Sequence, residues 1–169
     1  MEQSSESDRI LTAFQKDLRA GTPPLDALRA ILNATSGRAV GLWRRQEDAL
    51  IQIGFCTAED MPAETHDAFA AATKRVPLDE TGLGIVKAVQ TAAPALADLD
   101  SQTIVLETSA TWLARFAARR SLAAPTSFNG SINGVLAVST AGDLTPEHVE
   151  WDLICRLAAA IGDLLEIPD

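Results

Sequence analysis

Basic charge, long apolar runs and thiols are all scarce in this sequence, and each shortage removes a class of function. The 169 residues hold 14 Lys and Arg against 23 Asp and Glu, a formal net charge of -9 spread along the chain. Such a field repels polyanions, so no nucleic acid and no anionic membrane surface is expected as a partner. No apolar run approaches the ~20 residues that span a bilayer. The first residues are acidic and polar where a secretory leader would be basic and then apolar, and the expected location is cytoplasmic. The two cysteines, Cys56 and Cys155, lie far apart in sequence. They indicate no disulfide framework and are expected to be small buried apolar side chains. The two histidines, His66 and His148, stand alone without the spacing of a zinc or iron site, and no metal is expected. Gly82 and Gly84 are too short a pattern for a dinucleotide fingerprint, and no phosphate loop, internal repeat, low-complexity tract or long linker occurs.

A hydrophobic content of 47% with 22% charged residues suits one globular domain with a core of respectable size. Apolar residues Ile10, Leu11, Phe14 and Leu18 recur at helical spacing across 7–20, which predicts an amphipathic helix. Thr22 with Pro23 and Pro24 reads as a helix start in which the prolines occupy the first turn, with Leu25, Leu28, Ile31 and Leu32 as the buried face. Residues 39–45 and 49–55 read as a hairpin whose second strand puts Ile51, Ile53 and Phe55 on one face and Gln52 on the other. Asp60 is a candidate cap for an Ala-rich helix to Lys74 that has Phe69 as its only large apolar anchor. A short helix is expected over 81–91, a strand over 94–97 and an extended segment over 102–107. A helix capped by Ser109 follows and carries Trp112, Leu113, Phe116 and Arg119.

Asn129-Gly130 between 121–128 and 131–140 is the pair that most readily adopts the left-handed angles of a two-residue hairpin turn. Thr145-Pro146 opens a final helix to about Glu166. Its expected stripe is Val149, Leu153, Leu157, Ala160 and Leu164, widened by Ile154, Ile161 and Leu165. Hairpins separated by helices favour an α+β arrangement over a doubly wound parallel sheet.

Two segments carry a resemblance to a family. The first begins at Val76-Pro77-Leu78, passes the helix opening at Gly82 and Gly84, and closes its short strand at Asp98. The second runs from Arg120-Ser121-Leu122-Ala123-Ala124-Pro125 through the Asn129-Gly130 turn to Gly134-Val135-Leu136-Ala137-Val138-Ser139. In this order, with these helices between them, they resemble the GAF domain family over roughly residues 23 to 166. The resemblance implies a profilin- or PAS-like central antiparallel sheet of five or six strands. It implies N- and C-terminal helices on one face, and on the other face helices and loops that enclose a small-molecule pocket. It also implies homodimers through terminal helices, so residues 1–22 are expected to be a dimerising amphipathic helix and 23–169 the GAF-like domain.

The specialised members of the family are poor matches. The Asn-Lys, Phe and Asp-Glu signature of cyclic-nucleotide binders does not lay over 100–150, and the expected pocket helix holds no cysteine for a bilin. The pocket roof implied by the resemblance is the helix at 109–119. Its Trp112 and Phe116 form an aromatic stripe beside a basic one of Arg115 and Arg119. These four, with Trp43 as a second-rank contact, are the expected ligand-binding residues for a flat or carboxylated small molecule. The alternative for the same residues is that the aromatics fill the core and the arginines pair with acids. No catalytic triad is present, and the expected function is a non-catalytic sensor or regulator that passes its signal to a protein partner, with ligand and cofactor unknown. The alternatives are a thiol enzyme on the same scaffold, akin to a free methionine sulfoxide reductase, with Cys56 as nucleophile, and a ligand-free interaction scaffold.

Overall fold

The computed structural model describes residues 2–99 and 107–166, so the extended segment expected over 102–107 lies, except for Glu107, outside the described residues. Within them the chain runs α1 (Glu2–Ala20), α2 (Leu25–Thr35), β1 (Gly37–Gln46), β2 (Ala49–Thr57), α3 (Ala63–Ala72), β3 (Arg75–Pro77), α4 (Gly84–Thr91), β4 (Ala95–Asp98), α5 (Glu107–Phe116), β5 (Arg120–Phe128), β6 (Ser131–Thr140) and α6 (Val149–Ile161), closed by a 3-10 turn (Gly162–Leu165). One six-stranded sheet in the order β3-β2-β1-β6-β5-β4 holds them together, and every neighbouring pair is antiparallel. The segments 76–98 and 120–139 therefore belong to one α+β sheet.

Strand alternation divides the apolar side chains into two layers. On β1, Val40 and Leu42 face one side while Ala39 and Trp43 face the other. The first side packs under α1, α2 and α6, through Ile10, Phe14, Leu28, Ile31, Ile154 and Leu157. The second packs under α3, α4 and α5, through Phe69, Val86, Leu113 and Phe116. Each face of the sheet is thus covered by helices, and the first and last helices, α1 and α6, pack on the same face.

Several local expectations are corrected. The prolines stand before α2, with Pro24 at its cap position, so Leu25 is its first residue and is 44% exposed instead of buried. Asp60 does not cap α3; its carboxylate takes a 2.6 Å hydrogen bond from Arg38, which holds it below the usual carboxylate range. Leu42 pairs with Gly54 but Trp43 with Gln52, a bulge that leaves Ile53 as an extra residue. Side-chain parity slips there, so Phe55 joins Leu50 in the α3–α5 layer while Ile53 packs in the other. The last helix begins at Val149, not at Thr145-Pro146, and buries Ile154, Leu157, Ala158 and Ile161. Val149 is 53% exposed and Ala160 faces solvent. The residues expected to widen the stripe are its centre. Strand β3 was not anticipated, because Arg75-Val76-Pro77 has no strand pattern of its own and forms only through pairing of Val76 with Leu50.

The second hairpin matches its expectation: Asn129 and Gly130 have φ of 51° and 79°, the left-handed pair such a turn needs. A bulge leaves Asn133 unpaired in the register. Its side chain accepts from Thr126 at 2.7 Å and donates to the Gly162 carbonyl at 2.7 Å and to Glu166 at 2.8 Å. That cluster seats the end of the described chain on the hairpin.

Candidate functional site

The α3–α5 side of the sheet is lined by unusually small side chains. Register places Ala39, Ser139, Ser121 and Ala97 in one row across β1, β6, β5 and β4, and Gly41, Ala137, Ala123 and Ala95 in the next. Large side chains in this layer come from outside those two rows: Trp43 one step further along β1, Phe55 on β2, Phe69 on α3, Leu83 and Ile85 at the start of α4, Trp112, Leu113 and Phe116 on α5. Small floor and bulky roof do not interdigitate fully, and a cavity of about 50 Å³ remains between them.

The rings make one connected wall. Phe69 is its centre, 4.8 Å from Phe55, 5.0 Å from Trp112, 5.0 Å from Phe116 and 6.3 Å from Trp43 between centroids, mostly edge to face. Trp43 is 1% exposed, and its indole N–H donates to the Thr73 carbonyl at 2.9 Å at the end of α3. Its ring lies across Gly41, where a β-carbon would collide with it; a larger residue at 41 would displace the tryptophan. Trp112 alone of the five wall residues is half-buried and not fully buried, so it forms the mouth.

Helix α5 is held at both ends. Ser109 lies in its first turn instead of capping it: the Ser109 hydroxyl accepts the Gly84 N–H at 2.8 Å, and the Ser109 N–H donates to the Gly82 carbonyl at 3.0 Å. At the other end α5 stops at Phe116, short of Arg119, because Ala117 turns left-handed with φ of 57°. The β1–β6 register is irregular at Arg38, and the guanidinium of this residue reaches that end of the helix. Arg38 donates to the Phe116 carbonyl at 2.9 Å and pairs with Asp60 at 2.6 Å. A cation at the negative end of the helix dipole stabilises the roof as well as satisfying a terminal carbonyl.

Of the five residues expected to meet a ligand, Trp43, Trp112 and Phe116 line the same cavity. Arg115 and Arg119 do not line it. Arg115 is exposed, with its guanidinium carbon 4.6 Å from the centroid of the Trp112 ring, and Arg119 pairs with Asp143 at 2.8 Å beyond β6. Phe55, Phe69 and the serines at 109, 121 and 139 also line the cavity and were not expected at the site, although Phe55, Phe69 and Ser109 were expected as a strand-face, an anchor and a cap residue. The signal for the floor was the alternation of small and large residues, Ala39-Val40-Gly41-Leu42 and Ala137-Val138-Ser139, which marks a sheet face with room above it.

Both thiols belong to the opposite layer. Cys56 is 5% exposed among the side chains under α2, and burial pushes its pKa from 9.0 up to about 11, only partly offset by Arg29. Cys155 on α6 is half-buried and is likewise raised, by burial and then by Asp152. His66 is tied into the β2–α3 junction, its Nδ1 2.8 Å from the Thr57 hydroxyl. His148 stands before α6, where its Nδ1 accepts the Thr145 N–H at 3.2 Å. Among the described residues no three His, Cys, Asp or Glu come together as a metal site would need, and no helix is long and apolar enough to cross a membrane.

A six-stranded antiparallel sheet with its first and last helices on one face and a roofed cavity on the other has counterparts among solved structures. The GAF domain of an Acinetobacter phosphoenolpyruvate-protein phosphotransferase is similar with a TM-score of 0.66 at 13% identity, over 98% of this chain and 93% of that one. The fold is a GAF fold. A phycoerythrobilin-bound GAF domain from a cyanobacterial phytochrome is similar with a TM-score of 0.66 at 14% identity, over 97% of this chain and 96% of that one. A type II free methionine-R-sulfoxide reductase from Thermoplasma acidophilum gives 0.62 at 14% identity, over 90% and 94%. No protein-family model and no curated protein matches the sequence.

Proposed function

We propose that this chain is a non-catalytic, cytoplasmic small-molecule-sensing or regulatory GAF domain. A ligand enters at Trp112 and rests between the aromatic wall and the small-residue floor. The observation that carries the reading is that cavity, bounded by five rings over two rows of Ala, Gly and Ser. Occupancy is felt by the roof helices and, through the sheet, by α1, α2 and α6, which hand the signal to a second copy or a protein partner. A phytochrome GAF domain of the same fold with phycoerythrobilin bound supports ligand binding as a use of this architecture. The absence of cysteine from the described part of α5 argues against covalent attachment of such a ligand.

Native mass spectrometry of the purified full chain tests the reading by looking for a co-purifying small molecule. Trp112→Ala should abolish its retention while Arg29→Ala, an exposed change on α2, leaves it intact. Equal retention in both variants removes Trp112 from the site. A ligand-free interaction scaffold is the second reading, favoured by one observation: about 50 Å³ is small beside the ~300–1,000 Å³ of ordinary ligand pockets. The thiol-enzyme reading is the least supported, since Cys56 lies across the sheet from the cavity with a pKa raised by burial.

A further inference from the structure

We infer that the cavity selects an uncharged, chiefly apolar small molecule bearing one hydrogen-bonding group, and that Ser121 and Ser139 together hold that group. The inference rests on the cavity being the binding site and specifies its chemistry.

Charge is the first consideration. Among the described residues, none of the side chains lining the cavity is Asp, Glu, Lys, Arg or His. An ion entering would exchange water for a wall without a counter-charge, which is strongly unfavourable. Arg115 and Arg119, the residues that would have recognised a carboxylate, are both outside the cavity, one over Trp112 and one paired with Asp143.

The hydrogen-bonding end is equally defined. Ser121 and Ser139 face each other directly across the β5–β6 register and share the cavity-side face. Their neighbours in that row are Ala97 and Ala39, which have no polar side-chain atom to satisfy them. Ser109, the third cavity hydroxyl, already accepts from Gly84. Among the described residues neither Ser121 nor Ser139 has a side-chain hydrogen bond, yet no fully enclosed side-chain oxygen or nitrogen lacks a partner. Both hydroxyls therefore still touch open space, even though Ser139 is only 8% exposed, and the space both line is the cavity. Two adjacent hydroxyls, each able to donate and accept, match a single hydroxyl, carbonyl or N–H on an otherwise apolar ring.

The test uses the full chain, labelled with ¹⁵N and titrated separately with phenol, toluene and benzoate while the amide signals of cavity residues are followed. Phenol should bind at least as tightly as toluene despite its greater hydration, and benzoate should not bind. In the Ser121→Ala/Ser139→Ala double variant phenol should weaken about tenfold while toluene stays within about twofold of its original affinity. Ser121→Ala alone, at the half-buried position, should move phenol in the same direction if the double variant does not fold. Toluene binding far more tightly than phenol to the native chain overturns the inference and leaves the cavity as a binding site, and so does phenol binding that the serine changes do not weaken. Benzoate as the tightest probe has the same consequence. If no probe shifts any cavity amide, the binding-site reading itself falls.

Discussion

Phe69 offers the most direct test of the roof. It is the one large apolar side chain that α3 sends into the core, and four other rings lie within 4.8 to 6.3 Å of its centroid. Phe69→Ala removes the ring from a site 8% exposed, and buried Phe→Ala changes cost about 3–5 kcal/mol from lost burial plus the void left behind. Phe69→Leu keeps most of the apolar area but loses the ring pairs, each worth about 0.5–1.5 kcal/mol and not additive when they share one residue, so about 1–2 kcal/mol is expected. Urea titrations followed by tryptophan fluorescence would separate the two variants. For a chain of this length the Ala variant should also melt about 6–20 °C lower. A loss under about 1 kcal/mol for Phe69→Ala with an unchanged urea slope would refute the claim that this ring organises the wall. Loss confined to α3 would instead appear as rapid hydrogen exchange over residues 63–72 with little change elsewhere, and would show that α3 is docked by Phe69 but does not support the cavity.

Cys56 should alkylate slowly near neutral pH and faster only as pH approaches about 11. The thiol is neutral in folded and unfolded chains below about pH 9. Above that the unfolded chain ionises first, so stability should be flat up to about pH 9 and fall between 9 and 11; a fall beginning near pH 7 would contradict the burial assigned to it. Gly130→Ala forces a side chain to φ of 79° and should cost about 1 kcal/mol in chemical denaturation, while Ser131→Ala at the exposed strand start should cost almost nothing. Gly162→Ala would drive a β-carbon into the Ser127 carbonyl, and a loss of about 1–3 kcal/mol is expected, with the Asn133–Glu166 contacts loosened in NMR spectra. If copies pair across the exposed N-terminal part of α6, light scattering at micromolar concentration should give twice the chain mass and Val149→Asp should return the monomer; a native chain that is already monomeric removes that pairing. Deleting residues 1–20 is a poor test of pairing, since Ile10 and Phe14 are buried within the chain's own core.

The resemblance to the GAF family came from local patterns that carry their meaning within about ten residues. Asn129-Gly130 admits the turn its angles require, and the two flanking runs must pair because that turn brings them together. The helix at the start of the chain was legible for a similar reason, since Ile10 and Phe14 recur at one turn's spacing. The acidic balance depends on composition alone, and the lack of a membrane-length run and of metal-ligand spacing on residue order along the chain, so all three are read without the fold.

Position relative to other elements was decided only when the chain closed. Periodicity identified α6 as amphipathic but chose the wrong centre for its stripe, because Val149 and Ala160 are apolar whether or not anything covers them. Contact with α1, α2 and the sheet selected Ile154, Leu157 and Ile161. The parity of β2 depended on a bulge opposite Leu42 and Trp43 that no strand alternation announces. Trp112 and Phe116 could be picked out as large aromatics on a helix, whereas the serines at 121 and 139 acquire meaning only from cross-strand register. Sequence spacing of four placed Arg115 and Arg119 beside the aromatics, but the left-handed turn at Ala117 ends the helix before Arg119 and directs it to Asp143. Helical and turn preferences act over bonds and near neighbours and can be read along one chain. Which side of an element is buried, and which hydroxyls meet, depends on atoms distant in sequence and is settled by packing.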